Sequence, residues 1–332
     1  MLLVTSPPMP TPASLARVMR RGTAALGLWL ALGLGPAAAQ VDAGAGRAID
    51  VPGPWATYYG AASKIDLAQT ARTYRLLVID ADPGERNFTP AQVAQLRDGG
   101  RNRVLSYLNI GSCERFRTYW RGTGTAIPGC GANLRAQRGP YHGYPDEVWM
   151  DPSNPDYQRL ILDYVAPRLV AQGVDGFYLD NMEIVEHAPR AANGPCSEAC
   201  RQGGLELVYK LRQRYPALTI VMQNTAGPVT RTARIGEQPF PALLDGIAHE
   251  SVFAPRYDAE ADAHLSRWLA WRQEDPARRL WIGTLDYVGN CANLEDARRV
   301  AARSRARGYT PAVSDASAGQ QHICPWPHPL AQ

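Results

Sequence analysis

Two stretches of the chain set acids in one arrangement. Asp175-Gly176-Phe177-Tyr178-Leu179-Asp180 and Asp245-Gly246-Ile247-Ala248-His249-Glu250 each read Asp-Gly, three residues, then an acid. Strand side chains alternate with period two. Gly176, Tyr178 and Asp180 therefore share one face, and Gly246, Ala248 and Glu250 share the matching face of a second strand. A glycine on that face is expected to leave room beneath each acid. A short apolar run that leaves a glycine-rich turn and ends on a carboxylate is how a buried parallel strand carries an acid to the mouth of an α/β barrel. Two such acids suit glycoside hydrolysis, in which one attacks or activates water and the other protonates the leaving oxygen. Asp180 and Glu250 are the expected catalytic pair. Asp175 and Asp245 sit at the strand entries, the wrong end for catalysis, and are expected to cap the preceding turns.

The elements that must hold these acids can be read along the chain. Strand-like runs begin at Trp55 and recur at Tyr74–Asp80, Arg103–Ile110, the Asp180 stretch, Leu218–Asn224, Leu243–Glu250, Arg279–Tyr287 and Thr310–Ser317. Helical runs lie between them. Thr89-Pro90 supplies an N-cap and a first-turn proline, and Leu160, Ile161, Tyr164, Val165 and Leu169 recur at helical spacing. Eight strands in βα alternation predict a single-domain α/β fold, a (β/α)8 TIM barrel, over residues 55–332. The rival is a doubly wound open sheet, but no GxGxxG follows the first strand. Residues 111–154 are expected to form a long loop. The tail from Ala318 is too proline-rich for a good final helix.

Barrel enzymes carry their sites at the C-terminal ends of the strands. There the chain places Tyr58 and Tyr59, Asp80 and Asp82, Asn109, Asp180 and Asn181, Asn224, Glu250, Asp286 and Tyr287, and Asp315. Tyr58, Asp80, Asn109, Tyr178, Asn224, Asp286 and Asp315 are the expected substrate-binding residues. Asp80, Asp286 and Asp315 stand between sugar contacts and structural ion pairs, and Asn224 between a bond to the nucleophile and the backbone. Glu183 and Glu186 read as solvated loop charges. Tyr119, Trp120, Tyr141, Tyr144 and Trp149 either stack on sugar faces or pack the long loop. The six histidines form no HxH or HExxH, so a zinc hydrolase is not expected. The absence of GxSxG argues against a serine esterase. No metal and no cofactor is expected.

Arg17, Arg20 and Arg21 precede an apolar run from Ala24 to Gly35, and Ala37-Ala38-Ala39 offers a small-residue cleavage site. Residues 1–39 thus read as a signal peptide and 40–54 as a lead-in segment. The apolar run is too short to span a membrane comfortably, so the expected product is secreted or periplasmic, with no stable membrane span after cleavage. Removing three arginines takes the formal charge from +4 to +1. No basic run points to nucleic acid. All six cysteines lie in the exported part, which favours disulfides. Of 15 possible connectivities, the economical one is sequential: Cys113–Cys130, Cys196–Cys200 and Cys291–Cys324. The last would pin the tail beside the seventh strand.

Val104-Leu105-Ser106-Tyr107-Leu108-Asn109-Ile110-Gly111, with Glu114, Arg117 and Tyr119-Trp120 after it, resembles the signature of glycoside hydrolase family 114, the endo-α-1,4-polygalactosaminidases. So do Gly173 to Asp180, Gln223-Asn224, and Asp245-Gly246-Ile247 with Glu250. The resemblance runs from Trp55 to about Asp315. It implies a (β/α)8 barrel that cleaves α-1,4-linked galactosamine polymers, endo-acting and retaining, with Asp180 as nucleophile and Glu250 as acid/base. The implied partner is a galactosamine-rich polysaccharide, including those of biofilm matrices, met by a monomer. A polygalactosamine is cationic, and an acid-rich cleft with Asp80, Asp82, Asp286 and Asp315 would suit its ammonium groups. The chain departs from the pattern after the third strand. Many similar sequences carry Gly-Glu-Ala-Glu there, and this one reads Gly111-Ser112-Cys113-Glu114, one acid fewer and one cysteine more. The segment Arg121–Pro145 is also lengthened, and it shapes the subsites. The alternative from another class is a catalytically silent carbohydrate-binding barrel of the cell envelope.

Overall fold

The computed structural model describes residues 53–326 together with Ile49 and Leu330. The expected signal peptide and most of the lead-in lie outside the described residues. Eight parallel strands follow one another around a nearly closed ring: β1 (Trp55–Tyr58), β2 (Leu76–Ile79), β3 (Arg103–Asn109), β4 (Gly176–Asp180), β5 (Thr219–Gln223), β6 (Gly246–Glu250), β7 (Trp281–Val288) and β8 (Thr310–Asp315). Each pairs with the next in sequence. This is the TIM-barrel order, and it excludes the doubly wound rival, whose strand order reverses. Backbone pairing stops at β1 and β8. That seam is bridged by the Trp55 indole, which donates to the Thr310 carbonyl at 2.9 Å, and by Tyr59 N–H, which donates to the Gln320 carbonyl at 2.8 Å. No helix among the described residues is long and apolar enough to cross a membrane.

Inside the ring, Trp55, Val78, Leu105, Tyr178, Val221, Ala248, Trp281 and Leu285 form a closed apolar plug below the strand ends. The expected space beneath the acids is filled. A methyl group on Gly283 would stand 2.2 Å from the Trp281 ring, and one on Gly246 3.0 Å from it, so the indole occupies the volume both glycines vacate. Gly176 has a different use: a side chain there would meet the Thr219 carbonyl at 2.0 Å, so its absence lets the β5 backbone close in.

The two repeated Asp-Gly entries do equivalent work. Asp175 accepts Val104 N–H of β3 at 3.0 Å and pairs with Arg97 at 2.7 Å. Asp245 accepts Ile220 N–H of β5 at 2.9 Å and pairs with Arg212 at 2.5 Å. Each carboxylate therefore fastens the preceding strand and the helix before it, rather than capping a turn. Arg97 ends the helix Pro90–Arg97, whose Thr89 and Gln92 form a full capping box.

The helix between β3 and β4 widens to a π turn at Leu160–Val165. Pro167 in its next turn has no N–H to give the ladder, which accounts for the irregularity. The segment expected to be a loop after β3 is instead a small antiparallel sheet of Ser112–Glu114, Glu147–Met150 and Gln137–Pro140, with the second of these in the middle. The disulfides pair sequentially: Cys113–Cys130, Cys196–Cys200 and Cys291–Cys324. The first fastens the inserted sheet. The third holds the tail, which crosses the barrel mouth where an eighth helix would otherwise begin.

Candidate active site

Three neighbouring strands end alike. β4 ends Asp180-Asn181, β5 ends Gln223-Asn224 and β6 ends Glu250-Ser251, and the second residue of each pair has a positive φ, between 55° and 60°. Asn tolerates this left-handed backbone better than most residues. Each strand thereby turns sharply out of the ring just after an inward-facing polar side chain. Gly111, at the end of β3, allows the Asn181 carbonyl into the space where a side chain would be, 1.7 Å from its Cβ position. The result is a cleft of about 910 Å³ at the C-terminal face, with Asp180 and Glu250 both in its wall.

The two acids sit in opposite surroundings. Glu250 is held on all sides. Its Oε2 accepts from Gln223 Nε2 at 2.7 Å and Asn224 Nδ2 at 2.8 Å, and its Oε1 accepts from Gln320 Nε2 at 2.8 Å and from the Tyr287 hydroxyl. Asn224 also accepts Glu250 N–H at 3.0 Å. Asp180 has a buried Oδ1 with no hydrogen-bond partner among the described residues. Burial pushes its carboxyl well above the usual range, and the charges of Glu183 and Glu250 push it further. Tyr59, Tyr107 and Tyr178 crowd beneath the pair. Burial raises their hydroxyls too, with the Asp180 charge adding to the effect on each.

The expected substrate-binding residues divide. Asp80, Asn109, Tyr178 and Asn224 are at the site, but in supporting roles. Asp80 lines the cleft, yet its Oδ2 is paired with the buried Arg117 at 2.8 Å. Arg117 also reaches Glu114 Oε1 at 3.2 Å, so one guanidinium serves two acids. Asn109 accepts Ser112 N–H at 2.9 Å and donates to Ser112 Oγ at 2.8 Å. Tyr178 is wholly buried against Trp55.

Tyr58, Asp286 and Asp315 point elsewhere. Tyr58 faces the helices, packs on Phe88 and donates to the Ala61 carbonyl, while Tyr59 takes the inward position. Asp286 accepts the N–H groups of Phe253 and Ala254, and Tyr287 takes its place at the cleft. Asp315 accepts from Ser317 in the turn after β8. Asp82 likewise binds Gly84 N–H at 2.8 Å and is not in the cleft wall.

The acid-rich cleft is real but built from other acids: Glu85, Glu114 and Glu147 join Asp80, Asp180 and Glu250, against Lys64 and the committed Arg117. Glu183 is no solvated loop charge. It accepts from the Tyr141 hydroxyl at 3.1 Å, and burial lifts its carboxyl to about 7. Glu186 is equally engaged, accepting Val229 and Thr230 N–H groups. Of the five loop aromatics only Tyr141 and Tyr144 line the cleft; Tyr119 and Trp149 are buried. Glu147 and Gln320 carry no signal in their own neighbourhoods. The one hint for Gln320 is Cys324, which ties its tail to the barrel.

A match to the glycoside-hydrolase family GH114 extends over residues 38–235. The chain belongs to that family. This GH114 member is thus a glycoside hydrolase, and the matched stretch contains Asp180 but stops short of β6 and Glu250. No curated protein matches the chain. Among solved structures, the glycoside hydrolase domain of PelA from Pseudomonas aeruginosa is similar at 22% identity and a TM-score of 0.58, over 81% of this chain and 96% of that one. A variant of the same domain gives 0.60. Ega3 from Aspergillus fumigatus, solved in complex with galactosamine, is similar at 14% identity and a TM-score of 0.56, over 80% of this chain and 92% of that one. At such identities the likeness is one of fold.

Proposed function

We propose that this GH114 member is an exported endo-acting hydrolase of α-1,4-linked galactosamine-containing polysaccharide that retains anomeric configuration, with Asp180 as nucleophile and Glu250 as acid/base. The observation that carries this reading is the meeting of Asp180 and Glu250 in one cleft whose acids outnumber its cations. The galactosamine bound to Ega3 supports the choice of sugar. The three disulfides suit an oxidising compartment, which fits export behind a signal peptide at 1–39. The working form is a monomer acting on glycan outside the cytoplasm, such as a biofilm matrix.

Electrostatics couple binding to chemistry. In the free protein Asp180 holds a proton readily, because it is buried beside two other carboxylates. A nucleophile must be ionised. An ammonium group entering the cleft stabilises the Asp180 anion and so readies it for attack on the anomeric carbon. Four donors fix the position of Glu250. To act as the acid it must take up a proton on one oxygen, with the Tyr287 hydroxyl turning from donor to acceptor; it then gives that proton to the departing oxygen and recovers one from the attacking water. Asp180 and Glu250 stand on alternate even strands, in one layer of inward-facing side chains.

The test is hydrolysis of defined α-1,4-galactosamine oligomers by the exported form, with products followed by mass and anomeric configuration. Asp180→Asn and Glu250→Gln are each expected to cut kcat by about 10²–10⁴-fold while leaving oligomer binding intact. Release of reducing ends from a neutral galactan but not from galactosamine oligomers would overturn the substrate. Near-normal kcat in either variant would overturn the pair.

A further inference from the structure

The inserted sheet carries its own chemistry to the cleft. Its middle strand begins at Glu147, which stands directly across from Glu114 in the antiparallel register. Like charges opposite one another cost stability. Here they are kept, at the lip of the catalytic cleft, where both line the wall. Glu114 is 3% exposed and its Oε2 has no partner among the described residues. Glu147 accepts from Ser112 Oγ at 2.6 Å and from Asn181 Nδ2 at 3.1 Å, both on Oε2. Those bonds anchor one oxygen of the carboxylate.

Beside this carboxylate stands an aromatic face. Tyr144 N–H donates to the Tyr141 carbonyl and Glu147 N–H to that of Tyr144, so one tight turn fixes both residues. Tyr144 is 57% exposed, the ring a sugar can reach. It leans on Tyr141 at 4.7 Å between centroids, and Tyr141 stacks on the buried Trp149 at 4.0 Å. The Cys113–Cys130 disulfide holds the edge strand of the same sheet. An exposed ring that lines the same cleft wall as an under-neutralised pair of acids matches one class of ligand: a sugar with an apolar face and an ammonium group.

We propose that Tyr144 and Glu147 form a sugar subsite that selects residues bearing a free amine over N-acetylated ones, the Glu147 carboxylate accepting the ammonium and the Tyr144 ring stacking on the sugar. It rests on the galactosamine reading above. Burial and the Glu114 charge lift the Glu147 carboxyl to about 7, so it ionises just below the pH at which a sugar amine loses its proton, and selection for the amine is greatest near neutrality.

Two measurements decide it. In the Asp180→Asn background, which binds without cleaving, adding Glu147→Gln is expected to weaken a fully deacetylated galactosamine oligomer about tenfold and leave its N-acetylated counterpart unchanged. Tyr144→Ala is expected to weaken both. In the otherwise native enzyme, Glu147→Gln is expected to raise KM for the deacetylated oligomer well beyond any change in kcat, compared on the pH plateau because the Glu147 charge also raises the Asp180 carboxyl. An unchanged affinity ratio between the two oligomers in the Glu147→Gln protein, with its thermal midpoint intact, would overturn the subsite. Glu147-dependent binding without any hydrolysis by the native enzyme would sustain the subsite and overturn the hydrolytic reading instead.

Discussion

The proton inventory of the cleft is set by which acids are partnered and which are not. Glu250 has four donors and Asp180 has an orphaned oxygen, although both end equivalent strands. Glu183 is the nearest lever on that imbalance, since after burial its charge is the largest contribution holding the Asp180 carboxyl high. The sign is definite. On the proposed roles Asp180 attacks only when ionised, so activity should fall as pH drops through its raised pKa. Glu183→Gln removes a like charge and eases ionisation. The acid limb of kcat/KM should therefore move to lower pH in a pH–rate profile on galactosamine oligomers. A limb that stays put or moves upward would refute this coupling. Because the groups titrate together, the limb belongs to the cluster rather than to Asp180 alone.

At the scale of the element, the Asp-Gly entries convert a sequence repeat into a mechanical one. Asp245 and Arg212 are both nearly buried, so Asp245→Ala takes a carboxylate from a guanidinium that keeps its bonds to the Leu218 and Leu243 carbonyls, and takes the acceptor from Ile220 N–H. The expected loss is about 3–5 kcal/mol in denaturant unfolding. Asp175→Ala should cost less, because Arg97 is 39% exposed and water can take over. Equal losses at the two sites would contradict that explanation. The same strands show what the chain discloses about itself. β4 and β6 declare their inward faces through glycine, small residues and a terminal acid, and Asp180 and Glu250 were legible for that reason. β1 and β7 are almost wholly buried on both faces, as parallel strands between helices and ring are, and carry polar residues among the apolar ones on more than one face. Their parity is set by neighbours rather than by their own pattern, which is why Tyr58 and Asp286 read as plausible and Tyr59 and Tyr287 hold the positions. Glu147 lay further from view still. It reaches the site across a small sheet whose strands are only three or four residues long, too short for periodicity to mark.

For the whole molecule, the tail takes the place of a final helix and becomes part of the catalytic wall. Gln320 is buried with a φ of 51°, donates to Glu250 Oε1 and the Tyr287 hydroxyl, and gives its carbonyl to Tyr59. Four residues on, Cys324 is bonded to Cys291. Replacing both cysteines by serine is expected to free the tail and lower kcat at least tenfold, with helix content by circular dichroism unchanged. Gln320→Leu should lower kcat in the same way with the disulfide intact. Full kcat in the double serine variant would show that the tail needs no tether. The seam also has a meaning in time. Trp55 and Thr310, which it joins, lie 255 residues apart in sequence, and contacts so distant form late because the intervening chain must first be ordered. Every helix and seven strand pairings can exist before that seam shuts, yet Glu250 still lacks the donor that arrives with the tail. Activity is therefore expected to return no earlier than closure of the ring, and its recovery during refolding, timed against helix content, would serve as a clock for that step.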